Sequence, residues 1–470
     1  MWKEILSGFG DLFKELIEKE EFWFLVFVAG IAGILFIPII GLGNLVKIIF
    51  NTILLLWWFW IFLILFFLFR DLLLFWRREV FKSKRKFVLL EIKVPPQIEK
   101  SAEAMELVLN IISNYQRAPF TIKDKYFDGV VNNVFSLEIV FYKGEIRFFI
   151  RVPIDLRKVI EGAFFAYYPD IELEETNVDY ADEIPGSDKE VKMRGYNIWG
   201  AELLLEKEAM YPIKTYKYFE NLDETKRFDP ITGFLEIMSK LKKDEILGIQ
   251  ILIEPSNSKW KDEFSKALED LKKQQKQQKN EGGNVAFINQ VRSPGEIEVI
   301  KAVETNLSKP AFSTLIRFLF VSPEQNRDRS VVQGGLSAVF NQFKALNLNS
   351  FRMNFRAATS INVWIRPGIS LIYAKKRLSA RISRMLINYK NRLMPVTDTF
   401  WGKIIYSSPF AKVTDSEKFY FTSECLATIF HPPTYLVPTS LYIKKMPTRK
   451  VNPPLGLAIF GEEEDIQKFK

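Results

Sequence analysis

The chain has 470 residues, of which 48% are hydrophobic and 14% aromatic. That excludes a mostly disordered protein, and the length suggests two to four structural units rather than one ordinary core. A single cysteine, Cys425, excludes a disulfide scaffold, and one histidine, His431, leaves no basis for a zinc site; the net charge of +9 admits an anionic partner without identifying one.

At the start, Trp2, Ile5, Leu6, Phe9, Leu12, Phe13, Leu16 and Ile17 recur at helical spacing. The pattern predicts an amphipathic helix over 1–21, docked on the membrane surface or on a partner. Its polar face carries six acids against three lysines, which disfavours an anionic leaflet. From Phe22 to Phe69 the only charged side chain is Lys47. About 20 apolar residues span a bilayer, so the run predicts a two-span helical hairpin, 22–42 and 48–69, extending to residue 76, with Gly41, Gly43 and Asn44 at the turn. Arg70 and Asp71 are adjacent and able to pair. The segment 77–86 then carries Arg77, Arg78, Lys82, Lys84, Arg85 and Lys86 against Glu79. Such a cluster stays in the cytoplasm, so both termini and the main body are expected there, on the inner face of the plasma membrane, in a multi-pass protein.

Beyond Lys86 the periodicity switches to alternating strands and helices. FVLLEIKVP reads as a strand, and Ser101 caps the helix AEAMELVLNIISNY. FSLEIVFYKGEIRFFIRVP reads as a hairpin turning at Lys143–Gly144. DLRKVIEGAFFAYYP is a helix and IELEETNVDY a strand, giving a β-α-β-β-α-β order over 87–185. A weaker second copy occupies 195–346, with a polar insertion near Lys272–Asn284. The expected fold class is therefore α+β: a transmembrane helical hairpin, two ferredoxin-like sandwiches, and an irregular basic tail over 347–470. Between Lys344 and Lys403 twelve Lys or Arg stand against one acid, Asp398. Within that stretch one helix offers Lys375, Lys376, Arg377, Arg381 and Arg384, with Lys390 and Arg392 at its end, as candidate contacts to nucleic acid or anionic lipid. A solvated face or an acidic protein partner are the other readings of the same charges. Prolines 432, 433, 438, 447, 453 and 454 mark a final segment that runs over a surface, with Leu426, Ile429 and Phe430 as candidate docking residues for a partner.

Catalytic motifs are missing. No G-x-x-x-x-G-K-[ST] occurs, and Gly402–Lys403 is followed by Ile404 rather than a Mg²⁺-binding hydroxyl. No G-x-S-x-G supports a nucleophile, and His431 before Pro432–Pro433 reads as structural rather than as a base. Gly334–Gly335 reads as a turn opening a helix, with an anion site as the alternative. No catalytic, cofactor or metal residue is assigned, and a non-enzyme is expected.

Several blocks, taken together, resemble a family. LLEIKVP, FSLEIVFYKGEIRFFIRVP, AYYPDIELEE, WGAELLLEKEAMYPIKTY, DPITGFLEIMSKLKKDEILGIQILIEP, the basic helix ending Tyr389–Lys390–Asn391–Arg392, and TSECLATIFHPP are similar to the membrane-anchored region of type IV secretion or conjugation proteins of candidate-phylum bacteria. In that family the region precedes a FtsK- or HerA-like DNA-translocating ATPase. The resemblance implies a non-catalytic assembly platform in the membrane, with membrane lipids, a motor ATPase, DNA and a second copy of the chain as candidate partners. The sequence ends at GLAIFGEEEDIQKFK, about where the ATPase core would begin, so the motor is expected as a separate polypeptide or in a longer chain. The alternative is a membrane scaffold or receptor unrelated to DNA.

Overall fold

The computed structural model describes residues 57–444, except 96–99, 118–120, 221–227, 257–258, 278–293, 326–329, 346, 356, 360–369, 395–415, 435 and 438–441, together with Lys47, Phe50, Asn51 and Leu55. Its first element is α1 (Trp57–Lys84). Nothing between its ends breaks a helix, so it continues through the basic residues instead of stopping at the membrane edge. The segment 77–86 is thus mostly the last two turns of α1 rather than a separate element. Residues 1–21 and the expected first span, 22–42, lie outside the described residues. The two-span hairpin is corrected accordingly: the described residues contain one helix long and apolar enough to cross a membrane. At 1.5 Å per residue it is about 40 Å long, against about 30 Å of hydrocarbon core. Its large side chains face outward, Trp57 and Phe69 being 62% and 65% exposed, unlike those of a core helix. Arg70 pairs with Asp71 at 2.8 Å, as their adjacency suggested.

The body alternates β1 (Phe87–Lys93), α2 (Ala102–Ser113), β2 (Phe135–Tyr142), β3 (Glu145–Pro153), α3 (Arg157–Tyr167) and β4 (Glu172–Glu175). Ser101 caps α2 by accepting from the Glu103 amide, and Lys143 and Gly144, both at positive φ, make the β2–β3 turn. Then come α4 (Asp188–Met193), β5 (Tyr196–Leu205), α5 (Tyr216–Glu220), α6 (Thr232–Ser239) and β6 (Ile246–Pro255). Helices α7 (Lys259–Gln277) and α8 (Pro294–Ser308) stand where a hairpin would join β6 to β7 (Ala311–Pro323). After α9 (Ser330–Asn341) follow β8 (Phe351–Asn354), α10 (Ser370–Lys390), β9 (Phe419–Thr422) and α11 (Ser423–Ile429).

All pairings are antiparallel within one nine-stranded sheet, ordered β4-β1-β3-β2-β6-β7-β5-β8, with β9 added to the start of β7. Each half has the strand order of a split βαββαβ unit, and the second half mirrors the first. They are nevertheless not two separate sandwiches. Strands β2 and β6 pair from Phe135–Ile253 to Phe141–Leu247, so the sheet passes from one half to the other without interruption. One face carries a continuous core under α2, α3, α6, α9 and α11, which joins Leu90 and Phe148 of the first half to Ile249 and Phe318 of the second. The physical reason is that β2 and β6 are covered on both faces, every residue of β2 being buried and all but the ends of β6. Each would be an exposed aggregation-prone edge alone, and pairing removes both edges. The described residues of the tail are not irregular either: β8 and β9 are strands of this sheet, and α10 and α11 pack on it. Gly334 and Gly335 lie inside α9, with Gly335 against Ile237, so they neither open a helix nor form an anion-binding turn.

The second face is different. A row of residues in register crosses it from edge to edge: Glu174, Glu91, Phe149, Glu138, Gln250, Arg317, Glu202 and Asn354. Seven of these eight side chains are polar, and Glu138, Gln250, Arg317 and Glu202 are fully buried. This polar seam is covered by α10, α4 and the turn at Tyr180–Glu183, which pack Met385, Leu386, Tyr389, Val191 and Tyr180 over the sheet. The Tyr389 hydroxyl lies where a Cβ on Gly248 would stand, so only glycine allows α10 to approach this closely.

Candidate functional site

Two groups of ionisable side chains meet on the second face, and their contrast defines the site. The first is closed around Arg392, although Gln250 Oε1, Glu202 Oε2 and Arg317 Nε and Nη1 along the same seam are buried without a hydrogen bond among the described residues. Arg392, in the left-handed turn after α10 at φ 52°, places its guanidinium between two carboxylates. It donates to Glu138 at 2.6 and 3.0 Å and to Asp179 at 2.5 and 3.0 Å. Glu138 also accepts from the Tyr180 hydroxyl at 2.7 Å, from Gln250 at 3.2 Å and from Ser136. Tyr180 and Tyr389 share a hydroxyl contact of 3.0 Å. Burial pushes the carboxyls of Glu138 and Asp179 up, but the Arg392 charge and hydrogen bonds outweigh it, so both lie below the ordinary carboxylate range. Further along the seam, Arg317 lies 3.6 Å from Glu202 and donates to the Leu393 carbonyl, and Ser416 donates to Glu202.

The second group lines a cleft of about 750 Å³ between the foot of α1, the ends of β2, β3 and β6, and the segments flanking Asn391–Met394 and Lys418–Tyr420. Arg78 and Lys82 enter it from α1, Arg85 from the α1–β1 link, Arg117 from the loop after α2, Arg151 from β3, and Lys418 from the approach to β9. Glu79 and Glu254 are its acids, and both are engaged: Lys82 pairs with Glu79 and Lys418 with Glu254, each at 2.9 Å. Arg85 contacts Asn133 and reaches the exposed Asp155 only at 3.9 Å. Arg85 and Arg117 flank one ring, Phe81, at 5.6 and 5.2 Å. Arg151 stacks on Phe87 at 4.0 Å. Among the described residues neither Arg117 nor Arg151 has a carboxylate within ion-pair distance. Burial and the neighbouring Arg392 charge push the Arg151 guanidinium down to about 10, and burial followed by Arg117 lowers Arg85. Crowded cations with their local acids already engaged are a receptor for an anion.

The foot of α1 is fixed to this cleft by contacts on both sides of the link. The Arg85 amide closes on Lys82, and Lys86 accepts from the Ile154 amide. The π-helical turn 124–128 ends at Gly129, whose φ is +65°, and a Cβ there would lie 2.4 Å from the Arg77 carbonyl carbon. Gly129→Ala therefore combines left-handed strain with a backbone clash and should cost about 1–3 kcal/mol. Trypsin should then cut the Arg85–Lys86 link several-fold faster; unchanged cleavage would show that the turn does not hold the helix.

The sequence-based site residues fall elsewhere. Lys375, Lys376 and Arg377 belong to α10, but their side chains lie outside the described residues. Arg381 and Arg384 are half-buried, and Arg381 donates to the Phe355 carbonyl at 3.4 Å. Lys390 donates to the Ile184 carbonyl at 2.9 Å, holding the Tyr180–Glu183 turn. Arg392, expected at a phosphate or lipid, is buried and saturated by Glu138 and Asp179, so that expectation is corrected. So is docking through Leu426, Ile429 and Phe430: these are at most 2% exposed, and Phe430 packs edge-on to Phe148 at 6.2 Å. Helix α11 is buried on every side, its polar residues Glu424 and Thr428 being engaged by Lys217 at 2.7 Å and by the Tyr216 amide at 2.9 Å. Burial pushes the Cys425 thiol up to about 12, so it is unreactive. Both ring nitrogens of His431 are hydrogen-bonded, to the Ala427 carbonyl and to Asp229, each at 2.8 Å, in agreement with its structural reading. The residues missed were Arg85, Arg117 and Arg151 as one group.

Residues 79–354 match a family described as a domain of unknown function, DUF8128. The chain belongs to that family. No curated protein matches the chain. The DUF8128 match opens in the last turns of α1 and closes at the end of β8, so it takes in the whole mirrored row of eight strands and the part of the cleft that carries Arg85, Arg117 and Arg151. Helix α10, β9 and α11, which cover the sheet, follow the matched region.

Proposed function

We propose that the protein is a membrane-anchored, non-catalytic assembly platform of a type IV secretion-like or conjugative DNA-transfer machine, working beside a separate FtsK- or HerA-like motor ATPase. The observation that supports it is the connection between anchor and body. An exposed apolar helix of 28 residues passes into a nine-stranded sheet through Arg85 and Lys86 alone, and both are hydrogen-bonded. A joint this short holds whatever binds the body at a fixed height and angle to the bilayer, as an assembly platform requires. In this reading α1 lies in the plasma membrane, with its basic end and the body on the cytoplasmic side.

Orientation is tested with Met193, which is 86% exposed at the end of α4, because the chain's only cysteine is buried. Met193→Cys should react with a membrane-impermeant maleimide only after the inner membrane is opened. Labelling in intact cells would reverse the orientation. The platform itself is tested by affinity purification of the membrane fraction, in which a motor ATPase should co-purify with the full chain. A motor that stays on the membrane when the chain is absent would overturn the reading. The commitment of Lys390 and Arg392 to internal partners favours a second reading, a membrane scaffold or receptor that makes no contact with DNA; recovery of membrane proteins without any motor would select it.

A further inference from the structure

We infer that the cleft at the foot of α1 is a binding site for the phosphate group of an anionic phospholipid, held by Arg151 at its floor and by Arg117 and Arg85 at its wall. The inference rests on the membrane-anchor reading and adds a ligand to it. Depth is the first reason. Trp76 is the last exposed aromatic of α1, at 54%, and Arg78 and Lys82 follow it by two and six residues. At 1.5 Å per residue the cleft wall lies on the order of 3–9 Å beyond that ring, which is the depth of the headgroup layer. Shape is the second. A recess of about 750 Å³ is of the size that encloses one small ligand, whereas a duplex presents a line of phosphates to an open stripe. Charge is the third. The two carboxylates that line the cleft, Glu79 and Glu254, are paired with Lys82 and Lys418, so arginines from three separate elements converge on a space whose acids are already engaged. Arginine is also the residue suited to this task. Its planar fork grips two phosphate oxygens, and its ring contacts with Phe87 and Phe81 hold it in place before the anion arrives.

The test uses the full chain in lipid nanodiscs that contain equal amounts of phosphatidylcholine and phosphatidylglycerol. Native mass spectrometry then counts the lipids that stay bound after mild extraction. Wild type should retain phosphatidylglycerol in preference to phosphatidylcholine. Arg151→Gln should reduce that enrichment about tenfold, the loss of one charge-assisted pair. Arg117→Gln should reduce it less, and the exposed control Lys301→Gln should leave it unchanged. Melting curves of each variant guard against loss by unfolding, and Arg151→Lys should restore part of the enrichment in a folded protein. Equal enrichment in wild type and in folded Arg151→Gln overturns the site. A second arm adds millimolar inorganic phosphate to the wild type. Phosphate that raises the melting temperature through Arg151 while lipid enrichment is indifferent to Arg151 overturns the lipid assignment in favour of a free phosphate. Carbonate extraction of the same preparations separates the two layers of inference: failure to integrate overturns the anchor, whereas integration without lipid preference overturns only this site.

Discussion

Arg392→Met should destabilise the body by about 3–5 kcal/mol, seen as a fall in the denaturant midpoint of the full chain in nanodiscs. Methionine fills much of the space but leaves Glu138 buried with no cation, and an unpaired buried charge is among the most costly states a fold can hold. Asp179 matters less, because its side chain is 30% exposed and water reaches it. The pH dependence gives the sign. In the wild type both carboxyls are held below their unfolded values, so their contribution is present above the ordinary carboxylate range and is lost as pH falls through the folded values. In the variant, burial is opposed only by the hydrogen bonds from Tyr180, Gln250 and Ser136, so Glu138 rises from its wild-type value, and acid relieves the variant while it weakens the wild type. The gap in stability between them should therefore close as pH is lowered from 7 towards about 4. A constant gap would mean that the Arg392–Glu138 pair adds nothing beyond packing. Replacing Glu138 by Gln as well should recover part of the loss at neutral pH.

Phe430→Ala should cost about 3–5 kcal/mol, with a matching fall in the melting temperature of the whole body. The ring is fully buried, lies beside Phe148 of β3, and belongs to the core that also holds α2 and α6. Phe430→Asp should leave the chain in the insoluble fraction. This contrasts directly with a docking role, for which a charged residue would release a partner from a folded, membrane-bound protein. A Phe430→Asp protein that melts like the wild type would return the residue to the surface.

The contrast between local and long-range order runs through the whole molecule. Strands β1, β2 and β3 and helices α2 and α3 were legible because each carries its own period of apolar residues. The β2–β6 joint was not, because more than 100 residues separate the partners and nothing within FSLEIVFY names ILGIQILIEP as its neighbour. The seam left a faint trace: Glu91, Glu138, Glu202, Gln250 and Arg317 each interrupt an otherwise apolar strand. Five such interruptions suggest a shared layer, but only register shows that they form one line. Helix α11 was misread from its proline neighbours, because the partners that bury its Glu424 and Thr428, Lys217 and the Tyr216 amide, lie more than 200 residues away. The basic run ending α1 was correctly seen as a charge cluster and used for orientation. Its second role, as one wall of a cleft, depends on Arg117 and Arg151, which reach it only through the path of the chain. The rich basic segment around α10 drew attention instead, and the structure ties Lys390 and Arg392 down inside.

The two-residue link between α1 and β1 also sets how the protein carries load. Any pull between α1 and the body is delivered at Phe87, along the axis of a strand that is paired on both sides, from Phe87–Pro153 to Ile92–Phe148 with β3 and from Leu90–Glu175 to Lys93–Glu172 with β4. Tension in that direction acts on the ladders in shear, so the hydrogen bonds resist together. An anchor attached to β4 or β8 at the edges of the sheet would instead peel its strand away one pair at a time. Placed as it is, α1 hands a pull to an inner strand of the sheet, where the pairs on both sides share the load.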